Sequence, residues 1–261
     1  MTHQPRTAAS LLESLTINDP EGIDLEAIAW LNGAKVKYRE LDGCDACISG
    51  RADVGRAIIS IDNRSLPRRQ RFSLAHEIGH WEWHRGHQLL CSKDDIRGSG
   101  IKLKGLSREA AANRFAAELL MPGFMVKNAM RDFNRLDMKT VREMAARFDV
   151  SLTAMAYRLV ESDVHPSLLV AYGKDGRHWF VRSKSIAEMW FPKDRLDEES
   201  GAYDILYGAA QDDRFMSTVE GDTWFDVEWA DQIELGEQSF RTQENEVVSL
   251  LMARSKRMLA D

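Results

Sequence analysis

Residues 71–84 read Arg-Phe-Ser-Leu-Ala-His-Glu-Ile-Gly-His-Trp-Glu-Trp-His, and no other stretch limits the possible folds of this chain as much. His76 and His80 are four residues apart. On an α-helix such residues lie one above the other, so both imidazoles can meet a single metal ion. Glu77 projects from a neighbouring angle, beside the ion and not bound to it. A general base must stand there to take a proton from an attacking water. Phe72, Leu74, Ala75, Ile78 and Trp81 are apolar at helical spacing, which predicts an amphipathic helix and not a loop. This is the H-E-x-x-H arrangement of zinc hydrolases. Two surface histidines on a helix are the bland reading, and the apolar context weighs against it.

Such hydrolases use three protein ligands and leave a position open for water. Downstream, residues 107–122 (Ser-Arg-Glu-Ala-Ala-Ala-Asn-Arg-Phe-Ala-Ala-Glu-Leu-Leu-Met-Pro) predict a second helix. Ser107 is the expected N-cap, the alanines suit close helix packing, and Pro122 marks a stop or kink. Two glutamates compete for the metal, Glu109 and Glu118. Glu109 shares a face with Asn113, so a ligating carboxylate and a supporting amide could act together. Glu118 lies among Phe115, Leu119 and Leu120, where a partly buried structural carboxylate is equally reasonable. Glu109 is preferred.

The run Arg69-Gln-Arg-Phe-Ser-Leu-Ala-His-Glu-Ile-Gly-His80, followed by Glu109-x-x-Ala-Asn113-x-Phe-Ala-Ala-Glu-Leu-Leu-Met-Pro122, resembles the ImmA/IrrE family of metallopeptidases. The likeness covers roughly residues 8–160, and the two motifs together are far more specific than either alone. It implies a zincin-like metallopeptidase core with a gluzincin-like site. His76, His80 and Glu109 would be the ligands of one Zn2+ ion (Mn2+ is the alternative in the cell) and Glu77 the base. It also implies a protein substrate, an XRE-like helix-turn-helix transcriptional repressor cut in response to a stress or mobile-element signal.

At 261 residues the chain has ample length to bury a core. Its 44% hydrophobic and 29% charged residues are ordinary for a soluble globular protein. No apolar run approaches the ~18 residues of a membrane span, and the N-terminus lacks a signal-peptide core, so a cytoplasmic location is expected. Three cysteines, Cys44, Cys47 and Cys91, do not make a disulfide framework. A net charge of −6 argues against a general nucleic-acid coat. The charge is unevenly placed: residues 164–261 carry 11 Lys/Arg and 19 Asp/Glu, whereas residues 1–163 carry 24 and 22. That step predicts a boundary near His165-Pro166. The expected architecture is α+β. Residues 1–135 form the metallopeptidase domain, 136–163 a helix-turn-helix-like segment packed on it, and 166–261 a small acidic, aromatic α+β domain, sensory or regulatory by analogy.

Upstream of the motif, residues 7–15 predict a short helix, and Asp24 caps a second one through Leu31, which Gly33 ends. Residues 35–41, 47–52 and 56–62 alternate like strands, and an edge of that sheet could take an extended peptide. Cys44-Asp-Ala-Cys47 has C-x-x-C spacing without a second pair, and reads as incidental cysteines in a surface loop. Pro67-Arg-Arg-Gln-Arg71 reads as a solvated helix entry. His84 continues the four-residue series as a structural residue, or as a contact behind a ligand or to substrate. Residues 85–106, with His87 and Cys91, read as an exposed loop bordering the cleft.

Residues 140–159 resemble a helix-turn-helix, with Thr140 and Ser151 as N-caps and a break at Asp149-Val150. Met144, Ala145, Val150, Met155 and Leu159 would be its core. Ser151, Leu152, Thr153, Ala154 and Arg158 would be the base-reading set, thin chemistry for that task. A scaffold role is favoured over DNA binding. Beyond 166, residues 168–172 and 178–182 predict a hairpin across a 174–177 turn. Residues 224–229 and 237–242 alternate similarly, and 246–255 suit a strand or a helix. Trp179, Trp190, Trp224 and Trp229 are expected in the core. The leading reading is a zinc endopeptidase. The alternative is a non-catalytic transcriptional regulator that binds DNA or protein through its helix-turn-helix, with the zinc structural; a hydrolase of small substrates comes third.

Overall fold

The computed structural model describes residues 4–51, 53–85 and 108–260. The expected Ser107 cap, His87 and Cys91 lie outside the described residues. The chain forms two units, one of Met1–Met125 with Arg147–Val150, the other of Val126–Ala146 with Ser151–Asp261. The fold is α+β, with one sheet in each unit.

In the first unit, helix α1 (Ala8–Ser14) starts where the Thr7 hydroxyl accepts the Ser10 N–H. Helix α2 (Leu25–Leu31) starts at Asp24, whose carboxylate accepts the Glu26 and Ala27 N–H groups at 3.0 Å each. Gly33 ends it at φ +81°, and a Cβ there would fall on the Gly55 carbonyl oxygen, so only glycine fits. Three strands follow, β1 (Ala34–Arg39), β2 (Ala46–Arg51) and β3 (Arg56–Asp62), in the order β1-β3-β2. β1 runs parallel to β3 and β2 antiparallel to it.

Helix α3 (Pro67–Trp83) carries the H-E-x-x-H motif. Proline at its first turn lacks only an N–H that would have had no helical partner. Pro67 and Arg68 are exposed as expected, whereas Arg69 and Arg71 are tied down. Arg69 pairs with the buried Asp45 at 2.8 Å, Arg68 with Asp149 at 3.2 Å, and Arg71 donates to the Ile23 carbonyl. Every residue from Ser73 to Glu82 is buried, because the helix has neighbours on several sides. It rests on β2 and β3 and packs against helix α4 (Arg108–Leu120). Pro122 ends α4 as expected, and the chain turns into α5 (Gly123–Met130). Leu11, Leu12, Ile28, Ile59, Ile61, Leu74, Ile78, Phe115 and Leu119 fill this core. Each full burial contributes about 1.5–3 kcal/mol before entropy is counted.

Two glycines set how closely α3 is held. A Cβ on Gly79 would sit 3.1 Å from the Phe115 side chain of α4. A Cβ on Gly50 of β2 would sit 2.6 Å from Cζ3 of Trp81. Trp81 is 3% exposed and donates its indole N–H to the Asn32 carbonyl at 2.7 Å, so it cannot swing aside freely.

In the second unit, helices α6 (Met138–Arg147) and α7 (Leu152–Glu161) precede strands β4 (Ser167–Gly173) and β5 (Gly176–Arg182). Helix α8 (Gly201–Tyr207), β6 (Ser217–Glu220), β7 (Glu234–Gln243) and β8 (Glu246–Ala253) complete it. The sheet is antiparallel in the order β5-β4-β8-β7-β6. Ser151 caps α7 as expected. Thr140 is not the cap of α6. Asp137 is, taking the Thr140 N–H at 2.9 Å while its carbonyl accepts the Val141 N–H; a carboxylate three residues upstream outcompetes the hydroxyl. The break is where it was expected, with Asp149 at φ +50°, and Met144, Ala145, Val150, Met155 and Leu159 are all buried.

The β4–β5 turn is tighter than expected, because the strands pair as far as Gly173 and Gly176. Residues 246–253 are a strand. Residues 224–229 are not: after a 3-10 turn at Gly221–Thr223, Phe225 makes a single bridge to Pro192. Their alternating aromatics serve a compact cluster instead, with the Trp190 ring 5.2 Å from those of Phe225 and Trp229. Trp190 and Trp224 are fully buried; Trp179 and Trp229 lie half-buried at the margin.

Gly50→Val is expected to cost about 1–3 kcal/mol through overpacking against Trp81. Urea unfolding of the first unit is the measurement, and an unchanged midpoint would show that Gly50 does not seat the helix.

Candidate metal centre

Helix α3 places His76 and His80 one turn apart, and both are 0% exposed. Helix α4 lies alongside and brings Glu109 to them from its first turn. The Glu109 Oε2 atom is 3.2 Å from Nε2 of His76 and 3.2 Å from Nε2 of His80. The two Nε2 atoms are 2.9 Å apart. Among the described residues these three side chains form the cluster of ligating atoms able to hold a metal ion.

The donor set fits a catalytic divalent metal. Two imidazole nitrogens and one carboxylate make the His2Glu set of open zinc sites. Tetrahedral zinc with bonds of about 2.0–2.1 Å needs ligand atoms roughly 3.3 Å apart, close to what is found. Hydrogen bonds with His76 and His80 hold the Glu109 carboxyl far below the usual carboxylate range; partial burial opposes this and is outweighed. Glu109 is therefore an anion at neutral pH, the form a metal requires. At 27% exposure its side chain is the open part of the cluster.

Each imidazole also has a contact on its far nitrogen. Nδ1 of His76 lies 2.8 Å from Oδ1 of Asn113, one turn beyond Glu109 on α4. Nδ1 of His80 lies 3.0 Å from Nδ1 of His84, the residue that closes α3. Glu77 is buried on the same helix turn as His76, with both carboxylate oxygens out of contact with solvent. Glu118 is not brought to the cluster; its Oε1 accepts the Gly123 N–H at 3.1 Å where α5 begins.

Cys44 and Cys47 are free thiols, both half-buried; Cys44 lies in the loop before β2 as expected, whereas Cys47 lies inside the strand. Burial pushes the Cys44 thiol up, and the nearby Cys47 and Glu77 add to this. Three residues outside the motif helix, Arg6, Asn32 and Asp45, support it from a distance and carry no local signal. Glu82, fully buried, pairs with Arg6 at 2.6 Å, and Arg6 also bonds Asn32. Asp45 holds both Arg69 and the Ser65 hydroxyl. Only their spacing across tens of residues would have revealed them.

Known proteins resemble parts of this chain. A family described as the IrrE N-terminal-like domain matches residues 33–160. The radiation response metalloprotease IrrE of Deinococcus deserti is 33% identical over 123 residues, which is 45% of this chain and 41% of that protein. The protein of the same name from Deinococcus radiodurans is 30% identical over 158 residues, 58% of this chain and 44% of that one. The matches thus span less than half the length of either relative. A solved Mycobacterium tuberculosis transcriptional regulator shares the fold, with a TM-score of 0.60 at 14% identity over 94% of this chain and 74% of that one. The His76–His80–Glu109 cluster lies inside the segment, residues 33–160, that is similar to the IrrE N-terminal-like domain.

Proposed function

We propose that this chain is a zinc-dependent endopeptidase acting in the cytoplasm. Its substrate would be a protein, an XRE-like helix-turn-helix repressor cut in a stress or mobile-element response. The observation that carries the reading is the convergence of the His76, His80 and Glu109 donor atoms, with Glu77 buried next to His76 in the same helix, in a segment matching a metalloprotease family. The repressor as substrate rests on the family likeness. In this reading residues 1–135 are a zincin-like peptidase domain, 136–163 a helical scaffold and 166–261 a regulatory domain.

His76, His80 and Glu109 would hold the metal. The bound ion supplies Lewis-acid activation of the attacking water and of the scissile carbonyl. In this reading Glu77 would accept the proton of that water on a carboxylate oxygen and return it to the departing amide nitrogen.

A DNA-reading role has less support. The Arg158 side chain is only 13% exposed and pairs with Glu161 at 2.9 Å. Leu152, Thr153 and Ala154 are half-buried, and α7 packs on β4 and β5, with Tyr157 against Trp179. That is how a scaffold helix behaves.

Alanine at His76, His80 or Glu109 should abolish stoichiometric zinc binding, whereas Glu118→Ala should leave it intact. Elemental analysis of the purified variants decides, and retention by Glu109→Ala with loss by Glu118→Ala would reverse the assignment. Glu77→Gln should keep the metal and lose about 10²–10⁴-fold in the cleavage rate. That is about 3–5 kcal/mol at ~1.4 kcal/mol per decade. Parent-like cleavage by zinc-loaded Glu77→Gln would end the proposed mechanism. Thr153→Ala and Arg158→Ala should leave repressor cleavage largely unchanged. Sequence-specific DNA binding that these two changes weaken, with steep salt dependence, would favour the regulator instead.

A further inference from the structure

The contacts behind the two histidines are unlike, and they impose a proton arrangement on three imidazoles in a row. Nε2 of His76 and of His80 point at each other and at Glu109. A nitrogen that ligates a metal carries no proton, so each of these neutral rings must hold its proton on Nδ1. At His76 that proton meets an amide oxygen, Oδ1 of Asn113 at 2.8 Å. At His80 it meets another imidazole nitrogen, Nδ1 of His84 at 3.0 Å. Two protons cannot occupy that short line. His84 must therefore offer the Nδ1 lone pair and carry its own proton on Nε2.

We infer that His84 is a positioning residue for the metal centre, the hydrogen-bond acceptor that fixes the tautomer and ring plane of His80, as Asn113 does for His76. The inference rests on the metallopeptidase reading and adds a required chemical property at position 84, an acceptor and not merely a ring. The local structure explains why the contact is available. His84 closes α3 with its N–H on the His80 carbonyl at 2.8 Å and φ −126°, off the helical path. The side chain is thereby turned back along the four-residue series, with ring centroids 4.6 Å apart for His76 and His80 and 5.1 Å for His80 and His84. The motif is in effect four residues longer than H-E-x-x-H. A ligating histidine held by an oriented acceptor has its lone pair aimed and its basicity raised, and loss of such an acceptor typically weakens metal affinity about 10–100-fold.

The test separates an acceptor from a filler. His84→Asn places an amide oxygen near the site of the lost Nδ1, while His84→Ala removes both ring and acceptor. Asn113→Asp keeps an oxygen acceptor, while Asn113→Leu keeps volume without one. Zinc affinity of the full chain, measured by competition with a chromogenic chelator, should fall about 10–100-fold in His84→Ala and Asn113→Leu. It should stay near the parent value in His84→Asn and Asn113→Asp. In 15N-resolved imidazole spectra of the zinc-loaded parent, His80 should carry its proton on Nδ1 and His84 on Nε2. Equal weakening by His84→Ala and His84→Asn, parent-like affinity in His84→Ala, or an Nδ1 proton on His84 would each overturn the inference. If the parent itself takes up no zinc, the metallopeptidase reading falls first and this one with it. Should a His84 variant fail to fold, the Asn113 pair and the parent spectrum still decide.

Discussion

Burying ionisable groups along one helix is the constraint on which the first unit depends. His76, Glu77, His80 and Glu82 all lie within α3 at 0–1% exposure. Leaving such groups without partners in an apolar interior would cost several kcal/mol each. The surrounding architecture supplies partners from distant parts of the sequence: Arg6 and Asn32 near Glu82, Glu109 and Asn113 from the next helix, His84 from the helix's own end. The sheet below and α4 beside it contribute the apolar burial that holds the assembly together. The polar stripe of α3 and its apolar surroundings are one design, since neither could be buried without the other.

The chemistry of the centre follows from where charge is allowed to reside. Glu109 is held ionised by its two imidazole neighbours, and it is the component nearest to solvent. Glu77 sits deeper, fully buried within α3. The two glutamates are thus set apart by environment, one held ionised at the edge of the cluster and one enclosed within the helix packing. The zinc and the protein substrate remain proposals that this division of labour supports.

Much of the site was legible because its signals are local. The four-residue spacing of His76 and His80 needs only helical geometry, and Asp24 and Ser151 cap helices whose first N–H groups are neighbours in sequence. Glu109 was separable from Glu118 by its pairing with Asn113 on one face. What sequence patterns missed was non-local or degenerate. Arg69 looked like a solvated charge because its partner Asp45 is 24 residues away. Thr140 looked like a cap because hydroxyl and carboxylate caps share one pattern, and Asp137 stands three residues earlier. Residues 224–229 alternate like a strand, yet their aromatics are used in a cluster and not on a pleated face. Burial periodicity alone cannot tell those two uses apart.

Gly50 and Gly79 touch none of the reacting groups, yet they stand on two sides of the motif helix where Trp81 and Phe115 press in. In most proteins an evolutionary or laboratory search can drift through such silent positions. Here nearly any step adds a carbon between the helix and its bed, so the sites should stay closed to drift while surface positions on α1 and α2 diverge. A library aimed at new specificity would do best to leave both glycines out.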